Sequence, residues 1–345
     1  MAGSTRQQRL FDELLARYAP EVAQAFREAV GDLIRRADLQ RVIAALQQGN
    51  IDAAIEALHL DPAAFTRLEE AIRSAYVASG DGAALTMPKI KDGLGQAVVI
   101  RFDGRNYRAE AWLRSNGADL VTRIVDDQRA AVRAALVQGM VKGQNPRTVA
   151  LDIIGRTNRA TGAREGGIIG LTSQQEQYAR TAREELASGD PELLRHYLTR
   201  TRRDKRFDRT VNKSIRDETP VPADTINKAA IAYKRRLLQL RGETLGKVEA
   251  FTAIAEGKNE AYAQAIQAGK IDAAAVTKTW RHFGSEHPRI QHIVMAGKSV
   301  GFAEDFVLPD GTRMRFPHDP RAPVGHRAGC RCAADYRIDF LANLD

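Results

Sequence analysis

Five of the seven histidines (His282, His287, His292, His318, His326) and both cysteines (Cys330, Cys332) of this 345-residue chain fall between Trp280 and Cys332. Whatever this stretch folds into must bring nitrogen and sulfur side chains together. Two readings stand side by side. In one, the two thiols and an imidazole from His292, His318 or His326 form a tetrahedral zinc shell, with Asp319 as an oxygen alternative. The Cys330-Arg331-Cys332 spacing is tighter than the C-x-x-C of most structural zinc sites. In the other, the histidines make ordinary hydrogen bonds in a small α+β module and the cysteines are partly buried thiols. The ligand set for a bound metal is His292, Asp319, Cys330 and Cys332, with zinc as the candidate cofactor.

The local order of elements follows from turn and cap residues. Val276 to Trp280 is a β-prone run, and Ser285 offers an N-cap for a helix from about Glu286 to Met295. Pro288 falls in its first turn and Gly297 stops it. Arg289 and His292 share a helical face. Phe302 to Leu308 and Thr312 to Phe316 flank Pro309-Asp310-Gly311, a hairpin signal. Phe316-Pro317-His318-Asp319-Pro320 then leads to the cysteines.

The ordered set Trp280, Arg289, His292, Gly297, Phe302, Phe306, Gly311, Pro317, Asp319 and Cys330-Arg331-Cys332 resembles the C-terminal domain of the phage Mu F-like family, the minor head or head morphogenesis proteins of tailed phages. The resemblance covers most of the chain from about Leu120 onward. It implies a low-copy virion protein that associates with the portal inside the head, takes part in capsid assembly and contacts DNA. His282, His287, His318 and His326 have no counterpart in that pattern, so the resemblance gives them no ligand role.

Upstream, the chain reads as helices packed on helices: hydrophobic residues make up 43% but aromatic ones only 6%. Two cysteines exclude a disulfide framework, and their spacing is too short for a normal disulfide, which points to synthesis in a reducing cytosol. No stretch approaches the ~18 apolar residues of a membrane span, and no signal peptide is apparent, so a soluble protein without membrane contact is expected. Residues 1–79 form an expected helical domain, with helix starts at Asn50 and at Asp61-Pro62 and with His59 at a helix end. Residues 80–118, interrupted by Gly80, Gly82, Pro88, Gly93, Gly95 and Gly104, read as a linker with one strand from Ala97 to Phe102, for which the C-terminal hairpin is one partner.

Residues 119–269 are an expected central helical region. A stripe of Leu120, Ile124, Val125, Val132, Leu136 and Met140 opens it, and Asn145-Pro146 starts the next helix. The glycine-rich connector from Gly155 to Gly170 lacks the Gly-Lys-Ser/Thr of a P-loop and reads as a turn or close backbone contact. Ser173-Gln174-Gln175-Glu176 has the form of a capping box that opens a helix to about Ala187, and Asp190-Pro191 starts the next. Two helices follow from 221 to 268, broken at Gly242 or Gly246.

Within this region, residues 195–241 hold fourteen Lys or Arg against five Asp or Glu, an excess equal to the +9 of the whole chain. So localised an excess suits a polyanion, with salt-dependent phosphate contacts, or an acidic protein such as a neighbouring subunit. Sparse aromatics argue against base-stacking recognition of single strands. The candidate DNA-contacting residues are Arg202, Arg203, Lys205, Arg206, Arg209, Lys234, Arg235 and Arg236, the last three projecting mostly away from the apolar face of their helix.

The fold class is therefore mainly α, a multi-helix scaffold with a small C-terminal α+β module at 270–345. The function expected is that of a non-enzymatic minor head protein in the capsid interior near the portal vertex, made in the host cytoplasm. Its partners would be the portal protein, the major capsid protein or scaffold, and double-stranded DNA, with several copies per virion. Trp280, Arg289, Gly297, Gly311 and Pro317 are its structural motif residues. The alternative is a metal-dependent nuclease whose C-terminal His/Cys cluster activates water beside the basic segment.

Overall fold

The structure, a computed structural model, describes residues 5–91, 95–284 and 288–339. Its first half runs α1 (Arg6–Arg36), α2 (Leu39–Gln47), α3 (Ile51–Glu56), α4 (Thr66–Thr86), β1 (Ile90–Lys91), β2 (Ala97–Val98), α5 (Tyr107–Val141) and α6 (Pro146–Ile154). Then come β3 (Arg156–Thr157), β4 (Arg164–Glu165), α7 (Ser173–Ala187), α8 (Pro191–Thr199), α9 (Asp208–Asp217) and α10 (Ala223–Gln267). The C-terminal part holds β5 (Val276–His282), α11 (Ile290–Met295), β6 (Ser299–Gly301), β7 (Phe306–Val307), β8 (Arg313–Met314), α12 (Val324–Arg327) and β9 (Cys332–Ile338). This is the mainly α scaffold with a small α+β module that the sequence implies. No helix among the described residues is long and apolar enough to cross a membrane.

Contacts divide the chain into two compact units: Met1–Ala25, Arg67–Ala118 and Glu243–Asp345 form the first, Phe26–Thr66 and Asp119–Gly242 the second. These units are not the successive segments expected from the sequence. The long helices α1, α5 and α10 each begin in one unit and end in the other.

In the first unit, β5 is the middle strand of a sheet ordered β6-β5-β9, antiparallel throughout. Alternate residues of β5 and β9 face inward, as a period of two requires. Val276, Ala334, Tyr336 and Ile338 join Tyr262, Ala265 and Phe316 in one core, while Trp280 and Cys332 join Met295, Phe306, Leu308 and Met314 in another. The outer edge of β9 is met by a side chain of α1: Gln7 donates to the Tyr336 carbonyl at 2.7 Å and accepts from the Tyr336 N–H at 3.0 Å. An exposed strand edge is thereby closed where another chain could pair with it.

Several expected boundaries move. The linker expected from Gly80 begins later, because α4 continues through Gly80 and Gly82 to Thr86. A Cβ at Gly80 would lie 2.4 Å from the Phe102 ring, so this glycine admits an aromatic instead of ending a helix. The strand at Ala97 pairs with Ile90–Lys91 and not with the C-terminal hairpin, a partner only a few residues away being cheaper in loop entropy. The break expected at Gly242 or Gly246 is absent: α10 is one helix of 45 residues. At Gly246 the missing Cβ lets α1 approach, since a Cβ there would stand 2.5 Å from the Ala19 carbonyl.

The second unit is built from capped helices. Asp38, Asn50 and Asp61 each accept a backbone N–H at a helix start, and Asn145 and Asp190 do so ahead of Pro146 and Pro191. The capping box lies one residue earlier than expected, with Thr172 as the cap and Gln175 as its reciprocal partner. His59 sits just beyond α3 with φ of 49°. The glycine-rich connector is a β3-β4 hairpin followed by a turn, in which the Gln128 amide accepts from Gly170 N at 2.6 Å and donates to the Leu171 carbonyl.

Candidate metal centre

Cysteine 330 and Cys332 both point inward while Arg331 between them is exposed. This explains the one-residue spacing: an extended chain entering β9 turns residues i and i+2 to the same face. Into the same space α11 delivers His292, whose ring is 1% exposed. His292 Nδ1 lies 3.2 Å from Cys330 Sγ and 3.7 Å from Cys332 Sγ, and the Cys332 N–H donates to Cys330 Sγ at 3.3 Å. The three donor atoms lie within 4.8 Å of one another and form a group that could hold a metal ion.

The two thiols do not titrate alike. Cys330 is drawn well below the usual thiol range because its sulfur accepts from Cys332, with His292 adding to the effect against the opposing pull of burial. Cys332 moves upward, its proton held by Cys330 and its charged form disfavoured by burial. A cation beside the sulfurs would favour the thiolate form of both.

Behind His292 runs a polar chain. His292 Nε2 faces His326 Nδ1 at 3.2 Å, and His326 Nε2 lies 3.0 Å from an Asp310 carboxylate oxygen in the β7-β8 turn. A proton on each Nε2 satisfies both contacts in one direction, and it leaves the lone pair of His292 on Nδ1, toward the sulfurs. A hydrogen-bond partner on the far ring nitrogen fixes the tautomer of a ligating imidazole.

The motif residues of the sequence build this module. Trp280 is fully buried and stands edge-on to the His292 ring at 5.4 Å. Arg289 donates from its guanidinium to the Ala328 carbonyl, tying the start of α11 to the loop that carries the cysteines. Gly297 after α11 and Gly311 in the hairpin turn both have φ of +83°, a conformation that favours glycine. Pro317, in the loop after the hairpin, is buried. The helix start differs from expectation: α11 begins at Ile290, so Pro288 precedes the helix, while Ser285, Glu286 and His287 lie outside the described residues.

Asp319 is not part of the cluster. Its carboxylate, with no exposure, accepts from Arg315 Nε at 3.2 Å and Arg321 Nη2 at 2.7 Å, and from the backbone N–H groups of both. Arg315 continues to Glu256 on α10 at 2.6 Å, and Arg321 to Asp305 at 3.1 Å. A carboxylate so committed to two guanidinium groups has no lone pair to offer a metal. Burial pushes Glu256 up to about 7 despite the Arg315 contact.

Two histidines without a place in the sequence pattern stand close by. His282 Nδ1 is 3.3 Å from Cys332 Sγ. His318 is 1% exposed, has φ of 70°, stacks on Phe251 at 4.3 Å, and lies near enough to Cys330 to help draw down its thiol pKa. The sheet register carried the signal for His282, since β9 pairs it directly with Cys332. That register was hidden because β9 itself was not expected.

In the second unit the basic segment is partly structural. Arg200 clamps the buried Glu185 carboxylate at 2.7 Å, and Arg203 pairs with Asp208 at 2.9 Å. Arg206 meets Asp204 at 2.7 Å, and Arg236 reaches the same carboxylate and the Arg203 carbonyl. Lys234, expected to project outward, instead turns in and donates to the Gly166 carbonyl at 3.0 Å. Burial lowers its pKa. Arg202, Lys205, Arg209 and Arg235 remain exposed, and none is in an ion pair among the described residues.

No family model, curated protein or solved structure matches this chain.

Proposed function

We propose that the chain is a minor head protein of the phage Mu F-like kind, whose C-terminal module is held together by one zinc ion and whose basic segment meets packaged DNA. The observation that supports this reading best is the convergence of the motif residues. Trp280, His292, Cys330 and Cys332 pack around one point, and Arg289, Gly297 and Gly311 shape the backbone that brings them there. The reading rests on this ordered set of residues and not on a match to a known protein.

His292, Cys330 and Cys332 would hold the ion. A tetrahedral shell with bonds of about 2.3 Å to sulfur and 2.0 Å to nitrogen has N···S edges of about 3.5 Å. The His292 Nδ1 separations of 3.2 and 3.7 Å from the two sulfurs fit that edge. Exposures of 1%, 4% and 0% for the three donors favour a structural site over one that binds and activates water. When bound, zinc supplies a cross-link between α11 and β9 and about 10 kcal/mol of folding free energy.

The portal protein, the major capsid protein or scaffold, and double-stranded DNA are the proposed partners, inside the capsid near the portal vertex. Quantitative mass spectrometry of purified virions and procapsids tests the assignment. A few copies, up to about the number of portal subunits, are expected in both particles. Absence from both would sink it, and divalent-metal-dependent nicking of DNA that disappears in His292→Ala would put the nuclease in its place.

A further inference from the structure

The compact triad of His292, Cys330 and Cys332 leaves a tetrahedral ion one ligand short. Two neighbouring imidazoles and one carboxylate compete for that place. The carboxylate is Asp319, which is spent on Arg315 and Arg321. Of the imidazoles, His318 is wedged against Phe251, ring over ring at 4.3 Å and 4°, in a loop whose backbone is already in a left-handed conformation. It interacts with Cys330 from this position but stands outside the triad, and turning it further in to meet both sulfurs would break that stack.

His282 is differently placed. It ends β5 and pairs in register with Cys332, so both side chains leave the sheet on the same face. Trp280, two residues earlier on that face, already packs against His292. His282 Nδ1 is 3.3 Å from Cys332 Sγ, within the spread of the His292 contacts. It touches one sulfur and stands outside the triad, and because it is half-buried at the end of a strand, a side-chain rotation can bring it in.

Building on the zinc reading above, we propose that His282 is the fourth ligand, giving a closed shell of two thiolates and two imidazoles that joins β5, α11 and β9. The cross-link then spans the central strand of the sheet as well as its edge. No coordination position is left for water, so the site is structural.

The test is metal loading of the full chain with zinc or cobalt, followed by X-ray absorption spectroscopy, in which outer-shell scattering counts the bound imidazoles. The wild type is expected to show two sulfurs and two imidazoles. His282→Ala should retain both sulfurs, show one imidazole, and bind zinc about 10–1,000-fold more weakly in competition with a chelator; His318→Ala should leave both imidazoles in place. A wild type with a single imidazole, a His282→Ala protein that keeps two, or a His318→Ala protein that loses one would overturn the assignment while leaving the zinc reading intact. A wild type that binds no zinc would overturn both. Circular dichroism on each loaded protein shows whether the variant is folded, and for a His282→Ala chain that does not fold, His282→Cys replaces it: a third sulfur in the shell supports the assignment, and two sulfurs refute it.

Discussion

At the scale of single residues, Asp319 and His326 both take roles other than the ligand role that sequence offers them. Asp319, a ligand candidate, is the hub of an ion-pair chain from Glu256 to Asp305, and Asp319→Asn should cost about 2–3 kcal/mol in urea unfolding at pH 7, below the usual ~3–5 because its guanidinium partners are partly exposed. Zinc content should not change; its loss would restore Asp319 as a ligand. The Asp319 pKa is lowered: burial alone would raise it, but the Arg321 hydrogen bond and the Arg315 charge outweigh burial. Its contribution is therefore full above the ordinary carboxylate pKa and is lost as pH falls through the lower folded value, so the gap between wild type and variant should close below about pH 4. His326 touches no sulfur, yet its contact with His292 Nε2 selects the tautomer that presents Nδ1. We expect His326→Ala to weaken zinc binding about 10–100-fold with the number of ligands unchanged. Unaltered affinity would show that the His326-Asp310 chain is incidental. The thiols were legible from the clustering, and His292, one of three imidazoles the clustering left open, from the resemblance. His282 was not, because its nearness to Cys332 depends on a pairing 50 residues apart in sequence.

Elements were legible wherever the signal was local. Asn50, Asp61-Pro62, Asn145-Pro146 and Asp190-Pro191 start helices because a side chain and the adjacent backbone suffice to do so. Glycine misled, since the same residue serves a break and a close approach, and only tertiary structure tells them apart. Gly246 shows the difference. An exposed helical glycine replaced by alanine gains about 1 kcal/mol of helix propensity. Here the new Cβ would meet the Ala19 carbonyl at 2.5 Å and the Ala23 Cβ at 2.7 Å. Gly246→Ala should therefore destabilise the protein, by about 1–3 kcal/mol in the denaturation midpoint, the range for overpacking. A stabilised variant would mean that α1 and α10 part easily at this point. The C-terminal strand β9 escaped notice for a different reason: Cys332 to Ile338 mixes alanine, arginine and aspartate and has no run of β-branched residues.

At the scale of the molecule, the basic segment divides into charge that builds and charge that faces outward. The local excess was legible; the division was not, because it depends on which carboxylates and carbonyls the fold brings near. If the exposed charge meets DNA, replacing Arg202, Lys205, Arg209 and Arg235 together by alanine should flatten the dependence of log affinity on log salt by about 0.9 per lost phosphate contact, or about 3–4 in all. Lys234→Met should leave that slope unchanged, because Lys234 Nζ is occupied by the Gly166 carbonyl. A fourfold variant with the wild-type slope would point to an acidic protein as the partner instead.

The clasp between Gln7 and the Tyr336 backbone joins residues 329 apart in the chain. On a ribosome adding about 5–20 residues per second, roughly 15–70 s separate the emergence of those two residues. For that interval the first helix waits without its last partner, and the sheet edge that Gln7 will close does not yet exist. Assembly of the first unit is thus timed by the emergence of β9 and not by that of α1. A nascent chain stalled before β9 should offer the N-terminal helix to chaperones or proteases that the finished protein excludes.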